Sequence, residues 1–568
     1  MIRIVDIYPD KATYRPGERA MVNVELENTG QASFAGQLLV DVYALAERVG
    51  GSAQMLDLPA DAGRVLAQLD LALPAQDFRG YGVEVCVVDR SGRPVAEAAT
   101  ALDVLSAWWL APRYGFLSDF APAEPDTDQR VAQLAKYHVN VVQFYDWMYR
   151  HYQLLPPPGV EDYTDALGRR LSLATVRAKI AACKARNMAT LAYGAVYGAE
   201  REFADQHPDW LLYQPDGRPA SLAGLFHITD IRPGSPWCDL IVGEYCRAVQ
   251  EMGFDGIHMD QYGFPEVAYT AGPEHAPVDV GQQFAPLINR AAQAVREVDR
   301  AARVLFNAVN NWPTSLVAGA DQPAVYIEVW PPHTTYLDLR QLILGGRSLS
   351  GGKPVILAAY LSPFGERNAA SAEAVGAGAR LTMAAIFANG GYHLLLGERD
   401  AVLCEAYYPR HAGLSPAFAA NVRRYYDFVV RYENLLYDPS LEDVSSAWVG
   451  GANAQIALGC PRYGPMARGG SIWTVARYKP GCAVLSLINL TGDENVEWNL
   501  PHPPPPLLED VQVTLSSDLA AESAWWASPD EPLGRLEALP LHRAHDGRWG
   551  LTVPRLSYWD IVVIRTKE

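Results

Sequence analysis

The seven cysteines of this 568-residue chain (Cys86, Cys183, Cys238, Cys246, Cys404, Cys460 and Cys482) form no CxxC pair or other metal-type spacing, and an odd number cannot all pair internally. They are expected to be buried thiols in a reducing compartment. Basic charge is also short: 47 Lys and Arg against 65 Asp and Glu leave a formal net charge of −18. That excludes the cationic surface a phosphate backbone requires, so no nucleic acid partner is expected. No run approaches the roughly 18 to 20 apolar residues of a membrane span, and the opening MIRIVDIYPDKATYRPGE has no apolar leader core. The expectation is no membrane partner, with the protein cytoplasmic as the sequence stands and secreted if a leader has been removed. HExxH, EF-hand loops and Cys/His clusters are missing, so no metal and no other cofactor is expected. There is no internal repeat either.

What is present describes a well-packed chain, 49% apolar and 10% aromatic. Its length is too great for one core and implies two to four domains. Residues 1–106 read with period two: Ala20, Val22, Val24 and Leu26 alternate with polar neighbours, and QLLVDVYAL and YGVEVCVVDRSG repeat the pattern between turn residues. This predicts a small antiparallel β-sandwich. In residues 107–436 apolar runs alternate with helical stripes, such as Leu173, Val176, Ile180 and Cys183, or Phe284, Leu287, Ala291 and Val295. The eight strand candidates are YGFLSDF, VNVVQFYDW, ATLAYGAVYG, FDGIHMDQYG, RVLFNAVNN, AVYIEVW, PVILAAYLS and YHLLLGE. Eight strand and helix alternations of this length predict a (β/α)8 TIM barrel. Residues 437–568 return to strands separated by Pro- and Gly-rich turns, a second antiparallel β domain with PHPPPPL as a stiff surface loop.

The stretch GFDGIHMDQYGFP holds two aspartates. Chemistry in a (β/α)8 barrel sits at the C-terminal strand ends, so Asp255, before its strand, is expected to cap or turn, and Asp260 lies where chemistry belongs. Successive side chains face opposite sides. With Ile257 and Met259 toward the helix layer, His258 and Asp260 face the axis. In the sixth strand the same parity puts Tyr326, Glu328 and Trp330 inward or upward. Either acid alone reads as an ordinary buried carboxylate, but two at matched depth beside aromatics suggest glycoside hydrolysis. Tyr145, Trp147, Tyr193, Tyr197, Tyr262, Trp312, Trp330 and Tyr360 cluster at strand ends, and such platforms suit the apolar face of a pyranose. Asp146, Gln261, Asn310, Asn311 and Glu398 supply the polar complement. His258 is open between a sugar-binding or Asp260-orienting role and a satisfied core histidine.

In order, VVQFYDWMYRHY, AYGAVYGAE, GFDGIHMDQYG, YIEVWPP and GGYHLLLGE with a following YYP resemble glycoside hydrolase family 66, the dextranases and cycloisomaltooligosaccharide glucanotransferases. The likeness covers the whole chain. It implies an immunoglobulin-like N-terminal domain, a catalytic (β/α)8 barrel and a C-terminal β domain, with a retaining mechanism on α-1,6-linked glucans. Carried onto this sequence, it implies Asp260 as nucleophile, Glu328 as acid/base, Tyr145, Asp146 and Trp147 at the sugar subsite, and Trp330 beside the acid. Members are typically secreted, whereas no leader is seen here. Cyclising members commonly carry an extra carbohydrate-binding module, and no second sandwich-like run is seen between Ala107 and Asn434, which favours hydrolysis. The leading expectation is an endo-acting dextranase on an α-glucan. The alternatives are a transglycosylating or exo-acting α-glucan enzyme and a non-catalytic glucan-binding protein.

Overall fold

The computed structural model describes residues 1–365, 369–451 and 454–567. Seven antiparallel strands open the chain: β1 (Ile2–Pro9), β2 (Arg19–Asn28), β3 (Phe34–Ala44), β4 (Glu47–Leu58), β5 (Val65–Ala72), β6 (Arg79–Asp89) and β7 (Pro94–Val104). They form two sheets, ordered β1-β2-β5 and β4-β3-β6-β7. Alternation builds them: Ala20, Val22, Val24 and Leu26 of β2 share one core with Leu38, Val40, Val83 and Val85 of the second sheet. Cys86 falls on the opposite parity to Val85 and Val87, and is half-buried for that reason. Cys246, Cys460 and Cys482 are half-buried too, while Cys183, Cys238 and Cys404 meet the expectation of buried thiols.

From Tyr114 the pairing becomes parallel. The strands β8 (Tyr114–Leu117), β9 (Val141–Phe144), β10 (Ala189–Ala195), β11 (Gly256–Asp260), β12 (Arg303–Val309), β13 (Val325–Glu328), β14 (Val355–Ala358) and β15 (Gly391–His393) pair in that order, each of the first seven with the next. A further short strand, β16 (Leu396–Gly397), follows β15 after Leu394 and Leu395 and pairs in parallel with β8 through Gly397 and Phe116. Parallel neighbours need crossovers, and helices supply most of them: α1 (Thr127–Ala135), α2 (Leu173–Lys184), α3 (Pro236–Arg247), α4 (Gly281–Val298), α5 (Tyr336–Ser350) and α6 (Ala372–Ala388). Their ends are written in the sequence. Ser235 caps α3 with Pro236 at its first position, Thr335 and Asp338 form a reciprocal capping box on α5, and Gly351 closes α5 in the left-handed region at φ 71°.

One expected alternation fails. Between β12 and β13 the only helix is the single turn Thr314–Val317. Two three-stranded sheets unforeseen in the sequence are built around the loops after β10 and β11, one from Gly198–Glu200, Ser221–Leu222 and Phe226–Ile228 and one from Leu212–Tyr213, Val267–Thr270 and Pro277–Asp279.

Beyond a further helix, α7 (Pro416–Arg431), strands Ile472–Lys479, Cys482–Asn489, Trp559–Thr566 and Ala521–Ala527 pair antiparallel, and strands Ile456–Leu458, Leu508–Leu515 and Trp549–Leu556 form a second sheet. Both contribute to a third core around Leu485, Val513 and Val562.

The three cores are joined tightly. Gly80 of β6 lies so close to α7 that a Cβ there would sit 1.9 Å from the Val430 carbonyl oxygen. Arg113, just before β8, is buried between Asp103 at 2.6 Å and Glu433 at 3.4 Å. On the other side of α6, a Cβ on Gly378 would sit 2.3 Å from the Leu500 carbonyl oxygen. Among the described residues no helix is long and apolar enough to cross a membrane.

Candidate active site

Asp260 ends β11 and Glu328 ends β13, with β12 between them. Asn307 of that middle strand reaches both acids: its Nδ2 donates to Asp260 Oδ1 at 2.7 Å and to Glu328 Oε2 at 2.8 Å. Carboxylates only accept, so the amide nitrogen must face them. The remaining oxygens are also engaged, Asp260 Oδ2 by the Tyr193 hydroxyl at 2.7 Å and Glu328 Oε1 by the Tyr360 hydroxyl at 2.9 Å.

Electrostatics couple the two acids. Burial, and then the charge of Glu328, push the Asp260 carboxyl upward, against the hydrogen bonds of Tyr193, Asn307 and the Gln261 backbone. Burial raises Glu328 as well, with Asn307 and Tyr360 opposing. Two buried carboxyls this close favour sharing one proton over carrying two charges. Beneath them His258 is neutral at pH 7, since burial holds its imidazole down to about 3. Its Nδ1 meets the Tyr114 hydroxyl at 2.9 Å and its ring packs edge-on against Tyr326.

The cavity over the pair measures about 340 Å³. Tyr145, Asp146, Tyr193, His258, Gln261, Trp330 and Tyr360, all expected from the sequence, line it together with the two acids. Tyr145 stacks on Tyr408 at 4.2 Å between ring centroids. Asp146 sits in the left-handed region at φ 49°, and burial raises its carboxyl to about 6 against the pull of Arg169 and His151. Gln261 lines the cavity but its side chain is engaged within the protein, accepting from the Gly263 amide and the Tyr197 hydroxyl and donating to the carbonyls of Trp312 and Asn307.

Four expected site residues lie elsewhere. Trp147 is wholly buried, its Nε1 donating to the Tyr193 carbonyl at 3.2 Å and its ring packed on Phe254. Tyr197 is buried behind the cleft, bonding the Phe264 carbonyl at 2.6 Å and the Tyr262 amide at 2.9 Å. Asn310 is a left-handed turn residue at φ 53° whose Nδ2 holds the Pro331 carbonyl at 3.1 Å. Glu398 is consumed by Lys179, whose Nζ lies 2.6 and 2.7 Å from its two oxygens with both side chains buried. Of the further residues weighed, Asp255 does what its position predicts, accepting from the Thr190 amide and hydroxyl at 2.9 Å each. Trp312 packs on Phe284 of α4.

Sequence reasoning missed Asn307, Gln143, His151, Phe226 and Tyr408, which also line the cavity. For Asn307 the signal was available: Phe306 packs on Phe284 of α4, so parity turns Asn307 to the side of the acids. Among the described residues, no three His, Cys, Asp or Glu side chains converge as a metal site.

The sequence profile of glycosyl hydrolase family 66 matches residues 9–563. The chain belongs to that family. A cycloisomaltooligosaccharide glucanotransferase of Niallia circulans is 23% identical, covering 98% of this chain and 71% of that protein. A dextranase of Streptococcus salivarius is 24% identical, covering 92% of this chain and 72% of that protein. Among solved structures, a Paenibacillus sp. cycloisomaltooligosaccharide glucanotransferase complexed with cycloisomaltoheptaose superimposes with a TM-score of 0.89 at 22% identity, over 99% of this chain and 100% of the other. This family 66 chain is thus an enzyme of glycoside hydrolase type in a multidomain, sheet-rich fold.

Proposed function

We propose that this family 66 protein cleaves α-1,6-glucosidic linkages of dextran or isomaltooligosaccharides from within the chain, with retention at the anomeric carbon. The observation that carries the reading is the shared amide of Asn307. Two hydrogen bonds from one nitrogen hold an Asp260 oxygen and a Glu328 oxygen no further apart than the two bonds laid end to end. That spacing suits the roughly 5 to 5.5 Å of a nucleophile and acid/base pair and is short of the roughly 6.5 to 9.5 Å needed to seat a water for inversion. Asp260 attacks the anomeric carbon as the C–O bond breaks, and the proton held by Glu328 passes to the departing oxygen. Water, or a sugar hydroxyl, then gives a proton to Glu328 and its oxygen to the anomeric carbon, freeing Asp260. Tyr193 and Asn307 stabilise the ionised nucleophile. The similarity to a dextranase and to a cycloisomaltooligosaccharide glucanotransferase supports a glucan substrate of this kind.

In the same reading the parallel strands form a (β/α)8 barrel, its eighth strand delivered in two pieces as β15 and β16. It is flanked by an immunoglobulin-like domain at residues 1–106 and a C-terminal domain at 437–568.

Wild type, Asp260→Ala and Glu328→Gln would be incubated with dextran and reducing ends followed. Short isomaltooligosaccharides from wild type, with a loss of roughly 10² to 10⁴-fold or more in each variant, are the expected result. An activated 2-fluoro isomaltoside should leave one glycosyl adduct on Asp260 by mass; an adduct on Glu328 would reverse the roles, and inversion at the anomeric carbon would remove the covalent step.

A further inference from the structure

A second cavity of about 480 Å³ adjoins the first across two shared side chains, Trp330 and Tyr360. Its far wall is not made by the parallel sheet. Residues 497–500, from beyond the Cys482–Asn489 strand, complete it. They are fixed there by backbone pairing: Tyr336 N donates to the Val496 carbonyl at 2.9 Å and Trp498 N to the Thr334 carbonyl at 3.0 Å. Trp498 Nε1 donates to the His333 carbonyl at 2.9 Å, Asn499 Oδ1 accepts from Ser362 N at 2.9 Å, and the Thr382 hydroxyl donates to the Trp498 carbonyl at 2.8 Å. Glu497 and Leu500 lie on this wall with exposed side chains, and Trp330 offers an aromatic face that is 37% exposed. An aromatic platform, an apolar edge and a free carboxylate form a sugar-binding set at a domain junction.

Position identifies the occupant. Glu328 is the proton donor in the reading above, on which this inference rests, and the departing sugar must lie on its side. Tyr360, bonded to Glu328, and Trp330, 5.7 Å from Tyr360 between centroids, separate Glu328 from the second cavity. We infer that this chamber seats the leaving portion of the glucan and, by microscopic reversibility, the acceptor sugar when the glycosyl group is transferred to sugar in place of water. The C-terminal segment 497–500 then takes part in choosing between hydrolysis and transfer.

The test uses the full chain with Glu497→Ala and, separately, Leu500→Trp, two exposed positions outside the catalytic pair, the second adding bulk to the chamber's wall. Two substrates are compared: isomaltooligosaccharides, whose leaving portion is glucan, and an isomaltosyl aryl glycoside, whose leaving group is a single phenol. Each variant should lose roughly ten-fold in kcat/KM on the oligosaccharides and in the ratio of transfer to hydrolysis, with the aryl rate unchanged. Unchanged kinetics on both substrates overturn the chamber while leaving the glycosidase reading intact. An equal loss on both overturns it too, since the effect would then run through Glu328. A wild type inert on both substrates removes the glycosidase reading, and the chamber's assignment falls with it.

Discussion

Asn307 shows how one amide can set the chemistry of two acids, and how little such an arrangement does for stability. Both carboxyls are raised in the folded protein. A raised carboxyl pKa means that the folded state binds more protons than the unfolded chain, so stability falls as pH climbs from the unfolded value, near 4, to the folded one. Glu328→Gln removes that burden while keeping an amide in place. It should therefore melt at a higher temperature than wild type at pH 7, and the gap should close near pH 4, measured by calorimetry across that range. Parity made Asp260, Glu328 and His258 legible in the sequence, because a strand fixes which side each residue faces. Past the strand ends alternation no longer governs direction, so residues there divide: Tyr145, Asp146, Gln261, Trp330 and Tyr360 turn to the cavity, whereas Trp147, Tyr197 and Asn310 turn away from it. Tyr408 was missed because it belongs to a loop outside every strand candidate, and only the folded chain brings it onto Tyr145.

At the scale of elements, Lys179 of α2 and Glu398 just past β16 form a pair with both side chains almost inaccessible to water. Removing one member strands the other charge, which costs about 3 to 5 kcal/mol, whereas replacing both with apolar groups is close to neutral. Lys179→Met should accordingly lower the denaturation midpoint strongly, and Lys179→Met with Glu398→Leu should recover most of the loss in the same urea titration. In sequence Glu398 looked like a sugar ligand because an acid after a strand reads alike whichever way it turns, and its partner lies 219 residues away. The helical stripe of α4 was visible, since Phe284, Leu287, Ala291 and Val295 are all buried. The missing crossover helix before β13 was not, because the period of the surrounding runs says nothing about whether a fifteen-residue link, 310–324, will be helical.

Across the whole molecule the change of period along the chain divides it into three regions, but the largest buried cluster crosses those bounds, taking in Leu105 from before residue 107 and Trp473, Ile488 and Trp559 from beyond residue 436. What the sequence concealed is how they are fastened. Arg113 is held between two acids from different regions, and burial, then the charge of Asp103, lift the Glu433 carboxyl well above its ordinary range against the pull of Arg113. A lifted carboxyl again means stability that declines with rising pH from the unfolded value upward. Glu433→Gln should flatten that decline in melts taken from pH 5 to 9, while Arg113→Met, leaving two buried acids without their cation, should cost about 3 to 5 kcal/mol at pH 7.

The stitching of residues 496–499 onto the loop 333–336 has a consequence in time as well as in space. Every strand of the parallel sheet leaves the ribosome before this segment does. The strands that carry both acids and Asn307 are therefore synthesised while one wall of the adjoining chamber is still untranslated, and that wall is the last part of the two cavities to be made.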